Sequence, residues 1–130
     1  MVVIDASVWV PFFKKDDMFH GQATNIIQSL LGRHEKLCIP AIAFTEVAGV
    51  IKRSTKKNKT AEKSVQDMND VVSVILVDLE ELQPVATKIA IKHSIKGADA
   101  YYLAVAEMTG AELITFDNEQ KKVYEQMNNG

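Results

Sequence analysis

Four acidic residues stand where a packed chain has little use for negative charge. Asp5 directly follows the apolar triplet Val2-Val3-Ile4, and Asp117 directly follows Leu113-Ile114-Thr115-Phe116. Glu46 shares a helical face with Ala43, Val47 and Val50 and has no basic residue three or four positions away. Asp99 opens a segment whose same face carries Tyr102, Leu103 and Ala106. A carboxylate on a buried stripe needs a compensating partner. Hard oxygen ligands with no accompanying Cys or His cluster suit Mg²⁺ or Mn²⁺ rather than zinc. His20, His34 and His93 have no ligand-like spacing and read as surface or helix-end residues. Each aspartate also has a purely structural reading: Asp5 as a helix N-cap, Asp117 with Gln120 as a capping box, and Asp99 as a favourable charge in a first helical turn. Glu46, mid-helix on an apolar face, has the weakest such reading.

The elements that must position these groups alternate. Val2–Ile4 is a β-branched run without polar alternation, the pattern of a strand buried on both faces of a parallel sheet. Leu37–Ile39, Val74–Val77 and Glu112–Phe116 read as three more short strands. Helical spacing predicts helices over Ser7–Phe13, His20–Gly32, Ala41–Lys57, Thr60–Val72, Leu79–His93, Ala98–Met108 and Asn118–Met127. Strands separated by helices predict a three-layer α/β/α sandwich around a small four-stranded parallel sheet. In such sheets, ligands bind outside the carboxyl ends of the strands, where Asp5 and Asp117 fall. Trp9, Phe12 and Phe13 crowd the first helix, as core or as a groove for a partner helix or a dimer mate.

The 130 residues are 47% hydrophobic and 25% charged, the range of one compact domain, expected over residues 1–130. A net charge of −2 argues against bulk coating of nucleic acid. The charge is unevenly placed, however. Residues 52–63 hold Lys52, Arg53, Lys56, Lys57, Lys59 and Lys63 against Glu62 alone. That strip reads as a solvated helix end or as a contact for RNA phosphates. Cys38, the one cysteine, lies in an apolar strand, which excludes a disulfide framework and fits a reducing compartment. The N-terminus has no positive region ahead of its apolar stretch, and the apolar window Leu37–Ile51 contains Pro40 and Glu46. A cytoplasmic protein with no membrane association is expected.

Val3-Ile4-Asp5-Ala6-Ser7, Thr45-Glu46-Val47, Gly97-Ala98-Asp99-Ala100-Tyr101-Tyr102-Leu103-Ala104 and Leu113-Ile114-Thr115-Phe116-Asp117 resemble, in order, the four acidic motifs of PIN domains. Within that family the chain is most similar to single-domain VapC-type ribonuclease toxins. The resemblance implies that Asp5, Glu46, Asp99 and Asp117 hold Mg²⁺ or Mn²⁺ and cut RNA phosphodiesters. It implies supporting roles for Ser7 and Thr115 and an outer role for Asn118. It further implies a homodimer neutralised by a VapB-type antitoxin, acting on tRNA or rRNA. One departure is Lys96, which stands where many relatives carry an Arg. An alternative is a catalytically silent PIN-like RNA-binding or interaction module. Phosphoacceptor receivers and Asp-x-Asp phosphatases are disfavoured because Ala6-Ser7, and no second acid, follow Asp5.

Overall fold

In a computed structural model, the described residues are 1–76 and 79–129. Four short strands, β1 (Val2–Ile4), β2 (Leu37–Pro40), β3 (Val74–Leu76) and β4 (Glu112–Ile114), form one parallel sheet in the order β3-β2-β1-β4. The expected α/β architecture with a small parallel sheet is what the chain adopts. The helices are α1 (Ala6–Phe13), α2 (His20–Gly32), α3 (Ile42–Thr55), α4 (Asn58–Val71), α5 (Leu79–His93), α6 (Gly97–Thr109) and α7 (Asn118–Asn129). Among the described residues, no helix is long and apolar enough to cross a membrane.

β1 lies between β2 and β4, and all three of its residues are buried. Its β-branched side chains suit a strand covered on both faces. Helix α6 packs against β1, β2 and β4, while α1 packs against α2 and α3, and α3 against α4. The chain leaves β1 toward β2 and β3, then returns through α5 and α6 to β4 on the other side. The β1/β4 boundary is therefore the point where strand order reverses, and parallel sheets open a ligand crevice at such a point.

Three local differences from the sequence-based expectation have physical causes. Strand β4 ends at Ile114, so Thr115 and Phe116 belong to the turn beyond it, where hydrogen bonds to side chains replace ladder bonds. Helix α3 ends at Thr55 because Lys56 turns left-handed (φ 63°) and its N–H closes on Lys52 O. Helix α4 begins at Asn58, two residues before the expected Thr60, whose carbonyl lies inside the helix and accepts from Ser64 Oγ. Val77, expected as the last residue of the third strand, lies outside the described residues.

Trp9 is fully buried, donates its indole N–H to Ile4 O at 3.0 Å, and stacks on Phe13 at 6.1 Å. It is core. Phe12 and Phe13 are half-buried and line a cavity of about 660 Å³ facing α4; its lining includes none of the four acids.

Helix α2 is terminated by a Schellman pair, Glu35 N to Leu30 O and His34 N to Leu31 O, with exposed His34 in the left-handed position (φ 57°) that favours glycine. His34→Gly is expected to raise the unfolding free energy by about 0.5–1 kcal/mol in a urea titration, with His34→Ala giving no gain.

Candidate active site

The site is built outward from the β1/β4 ladder. Val2, Val3 and Ile4 pair with Glu112, Leu113 and Ile114, and Asp5 N continues the ladder to Ile114 O at 3.0 Å. That register sets Asp5 beside Thr115. Asp5 is 3% exposed and its Oδ2 accepts from Ser7 N and from Thr115 Oγ1, each at 3.1 Å. Because the single Thr115 proton goes to Asp5, the 3.1 Å contact between Ser7 Oγ and Thr115 Oγ1 must run from Ser7 to Thr115. Phe116 N donates to Ser7 Oγ at 2.9 Å and Asp117 N to Thr115 Oγ1 at 3.0 Å. The two hydroxyls thus form one directed relay ending on Asp5 Oδ2, and the same relay pins the turn that carries Asp117.

Both aspartates at the strand ends cap helices, in keeping with their structural reading. Asp5 is the N-cap of α1, and Asp117 Oδ1 accepts from Gln120 N at 2.9 Å. The capping box is only half made, since the Gln120 side chain turns away and donates to Asp99 O at 3.1 Å. Each cap commits one carboxylate oxygen. Asp5 Oδ1 and Asp117 Oδ2 accept no hydrogen bond among the described residues, so the capping role leaves one oxygen per residue for a ligand.

Glu46 and Asp99 arrive from α3 and α6 and have no such anchors. Burial pushes the Glu46 carboxyl above its ordinary value, the Tyr102 hydroxyl draws it partway back, and the charges of Asp5 and Asp99 push it further up. The Tyr102 hydroxyl lies beside Glu46, yet the pair falls short of hydrogen-bond geometry: Glu46 Oε1 and the Tyr102 hydroxyl are both buried without a partner. Burial and then the neighbouring carboxylates, Glu46 first, hold the Tyr102 phenol well above its ordinary range, so it keeps its proton. Asp99 is raised from 3.8 to about 6, first by burial and then by Asp5 and Asp117, with Lys96 opposing and Glu119 adding to the rise. Through the charges felt at Glu46 and Asp99, the four acids form one connected electrostatic neighbourhood.

The donor set, carboxylate oxygens alone with one of them buried and orphaned, suits a hard divalent cation in chemistry and charge. It is not closed around one point. Among the described residues, no three His, Cys, Asp or Glu side chains stand close enough together to hold an ion. Gathering them requires side-chain rotation, and Glu46 and Asp99 have no hydrogen bond that opposes it.

The remaining sequence-derived residues fall farther out. Asn118 is exposed at the start of α7, and its side chain makes no hydrogen bond among the described residues. Lys52 and Arg53 form the last turn of α3, Lys56 and Lys57 the turn after it, and Lys59 the start of α4, all exposed. Along the helix axis, Lys52 is about 9 Å and Lys56 about 15 Å from Glu46, at the end of α3 away from the crevice. Lys52 Nζ is already engaged by Lys56 O and Asn58 Oδ1. Tyr102 and Gln120 are site residues that the sequence reading assigned elsewhere. A hydroxyl three positions after Asp99 on an otherwise apolar stripe is the signal for Tyr102. Nothing in the sequence aims Gln120 at Asp99 O.

The raised Asp99 carboxyl has a consequence for stability. A group whose folded pKa exceeds its unfolded value binds its proton more tightly in the native state. Its stabilising contribution is therefore full below about pH 4 and lost as pH rises through about 6. In chelator, Asp99→Asn is expected to match the parent protein near pH 4 and to exceed it in thermal midpoint at pH 7. Saturating Mn²⁺ is expected to reverse that order. Parallel pH profiles for the two proteins in chelator would contradict the assignment.

No curated protein matches the chain by sequence. Among solved structures, the fold is similar to VapC20 of Mycobacterium tuberculosis, a Sarcin-Ricin loop cleaving toxin. The TM-score is 0.77 at 19% identity, with 94% of each chain covered. It is also similar to PAE2754 of Pyrobaculum aerophilum, with TM-score 0.65 at 17% identity over 99% of this chain and 96% of that one. At these identities the likeness is one of fold. The PIN domain model matches residues 2–126, nearly the whole chain and all four acidic positions, and the protein belongs to the PIN domain family.

Proposed function

We propose that this protein is a Mg²⁺- or Mn²⁺-dependent endoribonuclease of the VapC type, the toxin of a VapB–VapC pair. The observation that supports this reading is the electrostatic coupling of Asp5, Glu46, Asp99 and Asp117 near the carboxyl end of the sheet, with Glu46 Oε1 buried and unpartnered. Such a cluster costs folding free energy and has no evident structural return beyond the two helix caps.

Asp5 and Asp117 would hold the ion through the oxygens their caps leave free, in positions fixed by the Ser7–Thr115 relay and the start of α7. Glu46 and Asp99 would complete the set. A divalent cation bound there supplies Lewis acidity toward a phosphodiester and activates water for in-line attack, leaving 5′-phosphate and 3′-hydroxyl ends. Four carboxylates repel an RNA phosphate until their charge is offset, so substrate approach and metal loading are coupled. Lys96, whose charge reaches Asp99, would meet a substrate phosphate beside the acids. Lys52, Arg53, Lys56, Lys57 and Lys59 would hold more distant phosphates and set register without reading bases. The cellular target would be a structured RNA, tRNA or rRNA. VapC20, similar in fold, is named for cleaving the Sarcin-Ricin loop. A homodimer in the cytoplasm bound by a VapB-type antitoxin completes the proposal.

One observation favours a second reading, a catalytically silent RNA-binding or interaction module: no three acids are closed around a common point among the described residues. Incubation with total RNA, with and without Mg²⁺ or Mn²⁺, followed by mapping of 5′ ends, separates the two. The ribonuclease reading requires discrete metal-dependent cuts. Asp99→Asn, whose side chain makes no hydrogen bond to lose, is expected to lower the cleavage rate by about a hundredfold or more with the fold retained. Metal-independent products, or no cuts with any RNA, would favour the silent module.

The basic strip has a separate signature. Replacing Lys56, Lys57 and Lys59 with Ala is expected to flatten the dependence of log K on log salt for single-stranded RNA by about 0.7 for each phosphate no longer neutralised. An unchanged slope would return the strip to a solvated helix end.

A further inference from the structure

Beside the acids lies a second, mostly apolar feature. A cavity of about 450 Å³ adjoins the crevice, and Ser7 and Asp117 line both. Its floor includes Val10, Pro11 and Val50, and Phe19 and Phe116 form part of its wall, their ring centroids 5.7 Å apart and tilted by 38°. The size falls in the range of small-ligand pockets. Phe19 is 46% exposed and the adjacent Met18 is 88% exposed, a large apolar cost to leave in water next to a charged crevice.

The exposure is built rather than incidental. Phe19 N donates to Asp17 Oδ1 at 2.8 Å, and the turn between α1 and α2 is closed by Asp17 N to Lys14 O and His20 N to Asp17 O. His20 Nδ1 lies 2.8 Å from Pro11 O and, facing a carbonyl, must donate to it, which ties the start of α2 to the cavity floor. Phe116 is placed by the same Ser7 hydroxyl that feeds the relay to Asp5. Phe116, Asp5 and Asp117 are therefore held by one hydrogen-bond system, and Phe19 is set against Phe116 by the α1–α2 turn.

We propose that this cavity receives an unstacked nucleobase of the RNA, next to the phosphate presented to the acids, with the Phe19 face as its stacking platform. The assignment rests on the ribonuclease reading above and deepens it. Three features select a base over other occupants. The lining carries no cation that would take a phosphate and two carboxylates, Asp17 and Asp117, that would repel one; its remaining walls are mostly aromatic and apolar; and at Asp117 it opens onto the residues that would address the scissile bond. Sequence-specific RNA recognition works by splaying single-stranded bases onto aromatic side chains. A base held there would choose the cut position, which the metal ligands by themselves cannot do.

The test pairs protein and RNA changes on a short RNA containing the mapped cut, with single abasic nucleotides placed at each of the two positions on either side of it. In the parent protein, one abasic position is expected to lower kcat/KM by roughly fivefold to a hundredfold, the range of base–aromatic stacking. Phe19→Ala is expected to lower kcat/KM on intact RNA by a similar factor and to abolish most of the penalty at that same abasic position. Phe19→Trp retains a ring face and should restore both the rate and the abasic penalty, whereas Phe19→Leu, apolar without a ring, should not. Circular dichroism of the variants confirms folding, which a half-exposed residue should not disturb. Undiminished cleavage and unchanged cut positions in Phe19→Ala would overturn the proposal while leaving the ribonuclease reading intact. So would additive effects of the abasic and Phe19 changes, or loss of binding to a protein partner with RNA cleavage unaffected. Failure of the parent protein to cut any RNA would instead strike the reading on which the proposal rests.

Discussion

Negative charge buried at one end of a small sheet is the constraint that the surrounding structure answers. Asp99 is held near 6 and Glu46 above its ordinary value, first by burial and then by the negative charges beside them. Such a cluster persists only where packing elsewhere holds its backbone in place. Here β1 is buried at all three residues, and α6 lies across three of the four strands with Tyr102, Leu103 and Val105 fully buried.

The division of labour among the acids follows from their anchors. Asp5 and Asp117 sit at the ends of adjacent parallel strands, where helix N-termini offer N–H groups to one oxygen of each carboxylate. Those oxygens are locked. Glu46 and Asp99 come from helix faces, meet no donor in hydrogen-bond geometry, and have carboxyls that burial pushes above their ordinary values. A rigid pair and an adjustable pair are a sensible arrangement for a site whose net charge changes when a cation enters. The structural and ligand-holding readings of the two caps are thus compatible, because a carboxylate has two oxygens.

The near-neutral total charge conceals opposed regions. The acids lie at the carboxyl edge of the sheet, and the lysines of the α3–α4 turn lie toward the other end of α3. Lys52 Nζ serves the turn itself through Lys56 O and Asn58, so part of the strip is structural whatever the rest contacts. Beside Asp117 lies the apolar ground of Val50, Val10 and Phe19, the surface on which bases rather than phosphates would rest.

The pattern of apolar runs and helical spacing determined the element order, the parallel sheet and the four acidic positions, because burial on both faces and a 3.6-residue period leave direct marks on composition. Strand register and turn geometry leave no such mark. Nothing in the chain order of Thr115 says that β4 stops one residue earlier, or that its hydroxyl meets Asp5 across a separation of 110 positions. Tyr102 reads as core from its neighbours and is core, yet its hydroxyl faces Glu46; Gln120 reads as a capping partner and instead bridges to α6. The Phe19 wall is likewise invisible in sequence, since a turn residue and a post-strand residue meet only once the chain has closed around β1. Residue type set which groups could do chemistry. Long-range packing decided which oxygens are fixed, which remain free, and what apolar surface lies beside them.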